Sequence, residues 1–386
     1  MFSHVSTDTG PRHALTRIVP RLVALLAMLC GSAACLAAPS AKPGTAPVRH
    51  VFVIMLENES YAVTFGQNSL APYLAHELPK QGALLPNYYG IGHYSLDNYI
   101  AMISGQAPNP ATQDDCTTYS EFVATAKPDA NGQVPGTGCV YPKSVRSLAN
   151  QLTDARLSWK AYMEDMGADP SRESATCGHV AIGADDPTRH ATPKDQYAAK
   201  HNPFVYFHSI IDDTKYCDTH VVNLQHLTND LAHISSTPNY VYITPNLCND
   251  GHDAPCKNGD PGGLISADVF LRTWVPRILN SPAFKKDGLL VITFDEGTDS
   301  TSCCNEKGLP GGPQPGQSGP GGGQIGAVML SPFIAPGTTS TVEYNHYSLL
   351  RSIENFFGLS HLGYAGDNSL HTLGSDVFTA HPASSK

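Results

Sequence analysis

The sequence predicts an α/β fold, a mainly parallel central sheet with helices on both faces and disulfide-pinned insertions. Apolar runs rich in β-branched residues recur far apart in the 386 residues: "VFVIML" at 51–56, "YVYITP" at 240–245 and "LLVITF" at 289–294, with "IGAVMLSPF" at 325–333 as a fourth. Such runs do not alternate apolar with polar residues, which suits strands covered on both faces. Helix-period stretches lie between them, at 68–80, 96–104, 144–155, 223–235, 264–280 and 347–357. Strands alternating with helices give a layered α/β architecture.

Taken from the N-terminus, residues 1–38 read as a secretory signal peptide. Arg12, Arg17 and Arg21 precede the apolar run "LVALLAMLCGSAACLAA", which ends in small residues before Pro39. The run is shorter than the roughly 20 residues needed to span a membrane, so cleavage after Ala37 or Ala38 is expected. Residues 39–48 form a Pro-rich leader, and 49–386 a single α/β domain. No later segment is apolar enough for stable membrane insertion. Losing the signal removes three Arg and one Asp from 24 basic and 34 acidic residues, leaving 21 against 33 and a formal charge of −12. A chain this acidic argues against nucleic-acid binding, which basic patches dominate.

Cys30 and Cys35 leave with the signal, so eight of the ten cysteines remain in an oxidising compartment, an even number that suggests disulfides. Cys116 with Cys139 and Cys248 with Cys256 would each close a short loop, and Cys177 with Cys217 is a third candidate pair. Adjacent Cys303 and Cys304 can bridge only with strain, while the CxxC-like spacing of a cysteine metal site is absent. Residues 106–142 and 165–220 are rich in Pro, Asp, Thr and Gly and read as insertions over the sheet. The stretch "KGLPGGPQPGQSGPGGGQ" at 307–324 lacks the order of a phosphate-binding P-loop and reads as a mobile surface loop.

In a parallel α/β sheet, functional groups gather beyond the carboxyl ends of the strands. The first strand ends in Glu57 and Asn58. The second leads into "PNLCNDGHD" with Asn246, Asp250, His252 and Asp253, and the third ends in Asp295 and Glu296. Carboxylates gathered at one place repel unless a cation neutralises them. An oxygen-rich set points to a hard divalent ion, calcium, magnesium or manganese, with zinc as the alternative. In "GIGHYSLDNYIAMISG", 90–105, Ser95 stands at a helix N-terminus, where dipole and free amides favour a phosphate. A simple N-cap serine is the competing reading, although Asn98 leaves the capping box incomplete.

The set "HVFVIMLENESY", "HYSLDNYIAMISG", "ITPNLCNDGHD", "VITFDEG" and "NHYSLLRSIENFFGL" resembles the bacterial phosphoesterase family of acid phosphatases and phospholipases C, itself related in fold to alkaline phosphatase. The resemblance implies metal ligands at Glu57, Asn58, Asp295 and Glu296 and a metal-bound nucleophile at Ser95 that becomes phosphorylated. It also implies that Asn98 donates to a phosphate oxygen. Related two-zinc enzymes have an Asp-His pair where this chain has Asp295-Glu296, so one metal is expected. His252 and His346 would then stabilise the transferring phosphoryl group and protonate the leaving alkoxide. His93 is expected to touch phosphate, and Asp250 to orient His252 or bind substrate. The implied function is a secreted or periplasmic metal-dependent acid phosphatase acting on small phosphate monoesters. The alternative is a phospholipase C acting on a phospholipid head group, whose family members are longer.

Overall fold

The computed structural model of the chain describes Thr7 and residues 46–380. The signal-peptide expectation and most of the Pro-rich leader lie outside the described residues. The main sheet has eight strands: β1 (His50–Leu56), β2 (Ala83–Leu85), β3 (Trp159–Met163), β4 (Val221–Asn223), β5 (Tyr240–Thr244), β6 (Gly288–Phe294), β7 (Ala327–Leu330) and β8 (Thr338–Thr339). Their order across the sheet is β8–β2–β7–β6–β1–β5–β3–β4. The pairings β6–β1–β5–β3–β4 are all parallel, and β7 alone runs against its neighbours β6 and β2.

Strand β1 sits at the centre. It pairs with β6 from His50 opposite Gly288 to Leu56 opposite Phe294, so the two chains reach their carboxyl ends side by side. Every residue of β1, β5 and β6 is buried, as their unbroken apolar runs require. The principal helices are α1 (Ser95–Ser104), α2 (Leu148–Asp154), α3 (Gly263–Asn280) and α4 (His346–Phe357), of which α1 and α4 reach the site. Helix α1 is entirely buried and packs against α4. It ends at Gly105, whose φ of 68° is the left-handed stop that glycine takes without a Cβ penalty.

Several elements differ from expectation. Strand β3, "WKAYM", was hidden because Lys160 interrupts its apolar run; the lysine finds Asp230 at 2.8 Å. The helix expected over 68–80 shrinks to one turn, Tyr73–Glu77, between Pro72 and Pro79. The helix expected over 223–235 becomes two short turns, Leu224–His226 and Leu227–Asp230. Asn223 is spent there on capping, and Asp230 on Lys160 and the Tyr162 hydroxyl.

All three expected disulfide pairs form, and Cys303 bonds to Cys304. The Gly/Pro stretch 307–324 is not a free surface loop: Gly90 N–H donates to Gly323 O at 3.0 Å, and Gly322 N–H to Gly90 O at 3.1 Å. A Cβ on Gly322 would lie 2.6 Å from Gly92 O, so the two backbones can touch only through glycine. No helix among the described residues is long and apolar enough to cross a membrane.

Candidate functional site

The site forms where β1 and β6 end. Glu57 follows β1 and is fully buried, and the Asp250 carbonyl accepts its backbone N–H at 2.8 Å. Asn58 turns the chain with a φ of 52°. Its backbone N–H donates to Asp295 Oδ1 at 2.8 Å and its Nδ2 to Glu296 Oε1 at 3.2 Å. The two strand ends are thereby tied together, and helix α1 comes in on top. Ser95 Oγ donates to Glu57 Oε2 at 2.7 Å, and Tyr99 OH, one turn further along α1, to Glu57 Oε1 at 2.5 Å. Ser95 is 2% exposed.

The loop before α1 is bound to the same cluster. Tyr94 N–H donates to Glu296 Oε2 at 3.0 Å, and His93 Nδ1 lies 2.8 Å from that oxygen. His93 Nε2 donates to the Asp299 carbonyl at 2.6 Å. The hydrogen bond and charge of Glu296 outweigh partial burial and hold the His93 ring above its ordinary value. Tyr94 has φ 83° and ψ 140°, close to a region that only glycine occupies readily and that costs other residues roughly 1–3 kcal/mol.

Electrostatically the cluster is unbalanced. Burial pushes Glu57 and Asp295 upward, each is pushed further by nearby acids or relieved only in part by Lys200, and Glu296 rises to about 8 despite His93. Asp250, fully buried beside Glu57, is raised well above the carboxylate range, first by burial and then by Glu57. Among the oxygens buried here without a hydrogen-bond partner are Asn58 Oδ1, Asp250 Oδ2 and Asp295 Oδ2. Orphaned oxygens beside carboxylates that resist ionisation fit a hard divalent cation. Glu57, Asn58, Ser95, Asp295 and Glu296 meet here as the expected ligand set, although Glu57, Asp295 and Glu296 do not bring three carboxylate oxygens within 4.8 Å of one another.

Not every expected residue plays its expected part. His346 is fully buried, its Nε2 donates to the Asp295 carbonyl at 2.6 Å, and its Nδ1 accepts from the Tyr88 hydroxyl at 3.2 Å. Burial pulls it down to about 4. Both nitrogens are occupied, so His346 props the end of β6. Asn98 is likewise saturated. Its Oδ1 accepts from Ile91 and Gly92 N–H at 2.7 and 3.0 Å, and its Nδ2 donates to the Gly92 and Tyr94 carbonyls at 2.9 and 3.2 Å. It shapes the 91–94 loop and has no donor left for phosphate. His252 stays at the rim with half its side chain exposed, its Nδ1 3.8 Å from Asp253 Oδ1. Asp250 Oδ1 accepts the backbone N–H of His252 at 3.0 Å and does not touch its ring.

Three residues of the site escaped the sequence reading. His201 is 2% exposed, stacks on Tyr99 with ring planes 7° apart, and brings Nε2 to 3.2 Å from Glu57 Oε2 and Nδ1 to 3.9 Å from Asp250 Oδ2. Burial and then Lys200 hold it well below its ordinary value, as a neutral imidazole. Lys200 Nζ binds Asp115 Oδ2 at 2.8 Å, and Asp115 Oδ1 accepts the Leu96 N–H at 3.0 Å inside the first turn of α1. Ser95 is thus not the N-cap of α1, a position Tyr94 takes, and the first turn is capped instead from an insertion, beside the Cys116–Cys139 bridge. The only sequence cue was the adjacent pair "KH" within an insertion.

With this geometry in place, the chain can be compared with known proteins. The model of the Phosphoesterase family matches residues 68–360. A phosphate-repressible acid phosphatase of Penicillium chrysogenum is 28% identical over 312 residues, covering 80% of this chain and 59% of that protein. A phosphatidylinositol-3-phosphatase of Mycobacterium tuberculosis is 24% identical over 319 residues, covering 82% and 79%. The chain spans 55% to 60% of the length of the first acid phosphatases it matches. Among solved structures, a protein in the alkaline phosphatase superfamily from Vibrio parahaemolyticus aligns over 86% of this chain and 74% of that one, at 11% identity and a TM-score of 0.48.

Proposed function

The chain belongs to the Phosphoesterase family, and from that premise we propose that it is an exported, metal-dependent phosphate monoesterase of acid-phosphatase type that works through a phosphoserine at Ser95. The observation that carries this reading is the Ser95 hydroxyl held at 2.7 Å on the buried carboxylate of Glu57, at the start of α1 and beside Asp295 and Glu296. One divalent ion, calcium, magnesium or manganese before zinc, would lower the hydroxyl's pKa and offset the charge of the phosphoryl group. Ser95 Oγ bonds to phosphorus as the ester's P–O bond breaks, and water then cleaves the phosphoserine. His93, held on Glu296, and the Lys200 ammonium, held on Asp115, would balance negative charge around the transferring group. The exposed ring of His252 is the assigned proton donor to the leaving alcohol, in place of His346. Cleavage of residues 1–38, the leader 39–48 and one catalytic domain over 49–386 complete the reading. The four disulfides support a periplasmic or extracellular destination.

The Mycobacterium tuberculosis relative favours one second reading, in which the monoester phosphate sits on a lipid head group. Turnover of p-nitrophenyl phosphate, of a phosphoinositide monophosphate and of phosphatidylcholine separates monoesterase, lipid phosphatase and phospholipase C. Ser95→Ala is expected to abolish turnover of p-nitrophenyl phosphate, and near-wild-type rates would refute the mechanism. Metal content of the purified protein, with activity after chelation and add-back, tests the cation independently.

A further inference from the structure

We infer that the Tyr94 ring is the platform on which the leaving group of the phosphate ester rests, selecting esters whose alcohol presents a flat or apolar face. The inference rests on the phosphoserine reading of Ser95. Tyr94 immediately precedes that residue, and its backbone is fixed on both sides: its N–H is bound by Glu296 Oε2 at 3.0 Å and its carbonyl by Asn98 Nδ2 at 3.2 Å. Its φ of 83° is one that glycine adopts freely and a bulky residue resists.

An aromatic residue kept in such a conformation is usually repaid by packing, yet this ring is 42% exposed. Neither ring nor hydroxyl has a partner among the described residues, whereas the hydroxyl of Tyr99 in the helix that follows is bound to Glu57. The groups around Ser95 are closed to solvent, with Glu57, Asp295 and Glu296 at most 4% exposed. An ester whose phosphorus is attacked by Ser95 must therefore direct its leaving alcohol toward the exposed rim, where Tyr94 stands one residue away. A free ring there offers a face for stacking or apolar contact.

Competitive inhibition by methylphosphonate and phenylphosphonate tests this without bond cleavage, so leaving-group acidity does not enter. The wild type is expected to bind phenylphosphonate on the order of 10-fold more tightly, the strength of one stacking contact. Tyr94→Gly, which keeps the backbone shape, should bring that ratio close to one while the inhibition constants for methylphosphonate and inorganic phosphate stay within about twofold. Tyr94→Phe should keep the wild-type ratio. A wild-type ratio near one overturns the inference even if the glycine variant does not fold. Equal weakening of all three inhibitors in Tyr94→Gly also overturns it, because the residue would then serve only to position Ser95. If the wild type neither binds phosphate nor turns over any ester, the phosphoesterase reading itself falls, and this inference with it.

Discussion

Replacing Lys200 with Met should destabilise the protein by about 3 kcal/mol, at the lower end of what removing one partner of a buried ion pair costs. Lys200 Nζ lies 2.8 Å from Asp115 Oδ2, with the two side chains only 16% and 7% exposed. Burial alone would depress the ammonium, but Asp115 and then Glu57 reverse that and keep Lys200 above its ordinary value. Without it, Asp115 would be a buried carboxylate whose remaining partner is the Leu96 N–H. At about 2–4 °C per kcal/mol for a large domain, the melting temperature should fall by about 6–12 °C. Thermal unfolding at pH 7 measures this. The double variant Lys200→Met/Asp115→Asn should recover most of the loss, because neither charge is then stranded. Because Asp115 caps the helix that begins with Ser95, turnover should fall in the single variant beyond what unfolding explains. A single variant that melts within about 1 °C of wild type, or a double variant no better than the single, refutes the reasoning.

Other consequences can be measured directly. Asp295→Asn should lower the metal bound per chain, read by elemental analysis, and an unchanged content would remove Asp295 from the ligand set. Burial pushes Glu354 up to about 8 from an ordinary 4.5. The folded state thus holds a proton that the unfolded chain has lost, and stability should fall as pH rises between those values; Glu354→Gln should flatten the change in urea midpoint between pH 5 and 8. Cys116→Ser/Cys139→Ser opens a loop of 23 residues and should cost roughly 3 kcal/mol, with turnover declining because Asp115 adjoins the bridge. Gly322→Ala would press a Cβ to 2.6 Å from Gly92 O. It should destabilise by about 1–3 kcal/mol and slow turnover, since the 90–94 loop carries Tyr94 up to Ser95.

Much of this molecule is legible in one dimension because burial on both faces leaves a compositional trace. Strands β1, β5 and β6 announce themselves as unbroken apolar runs, and the polar residues that end them, Glu57, Asn58, Asp250, Asp295 and Glu296, stand out by contrast. Short loops pointed to Cys116–Cys139 and Cys248–Cys256, but the connectivity as a whole, and the pairing of Cys303 with Cys304, stayed open until the fold brought the sulfurs together. Strand β3 was not, since one lysine with a remote partner erases its pattern. Nor could any local signal separate the roles of the histidines. His346 and His252 both sit in suggestive motifs, but one is locked between a carbonyl and a tyrosine and the other opens to solvent. His201, Lys200 and Asp115 come from insertions with no periodicity, and only packing of those insertions onto α1 brings them to Glu57. By itself, then, the sequence determined the central strands of the sheet, their acidic ends and the serine at a helix start. The tertiary structure alone decided which charges meet and which polar groups are already spent, because those outcomes depend on long-range contacts between segments that carry no shared pattern.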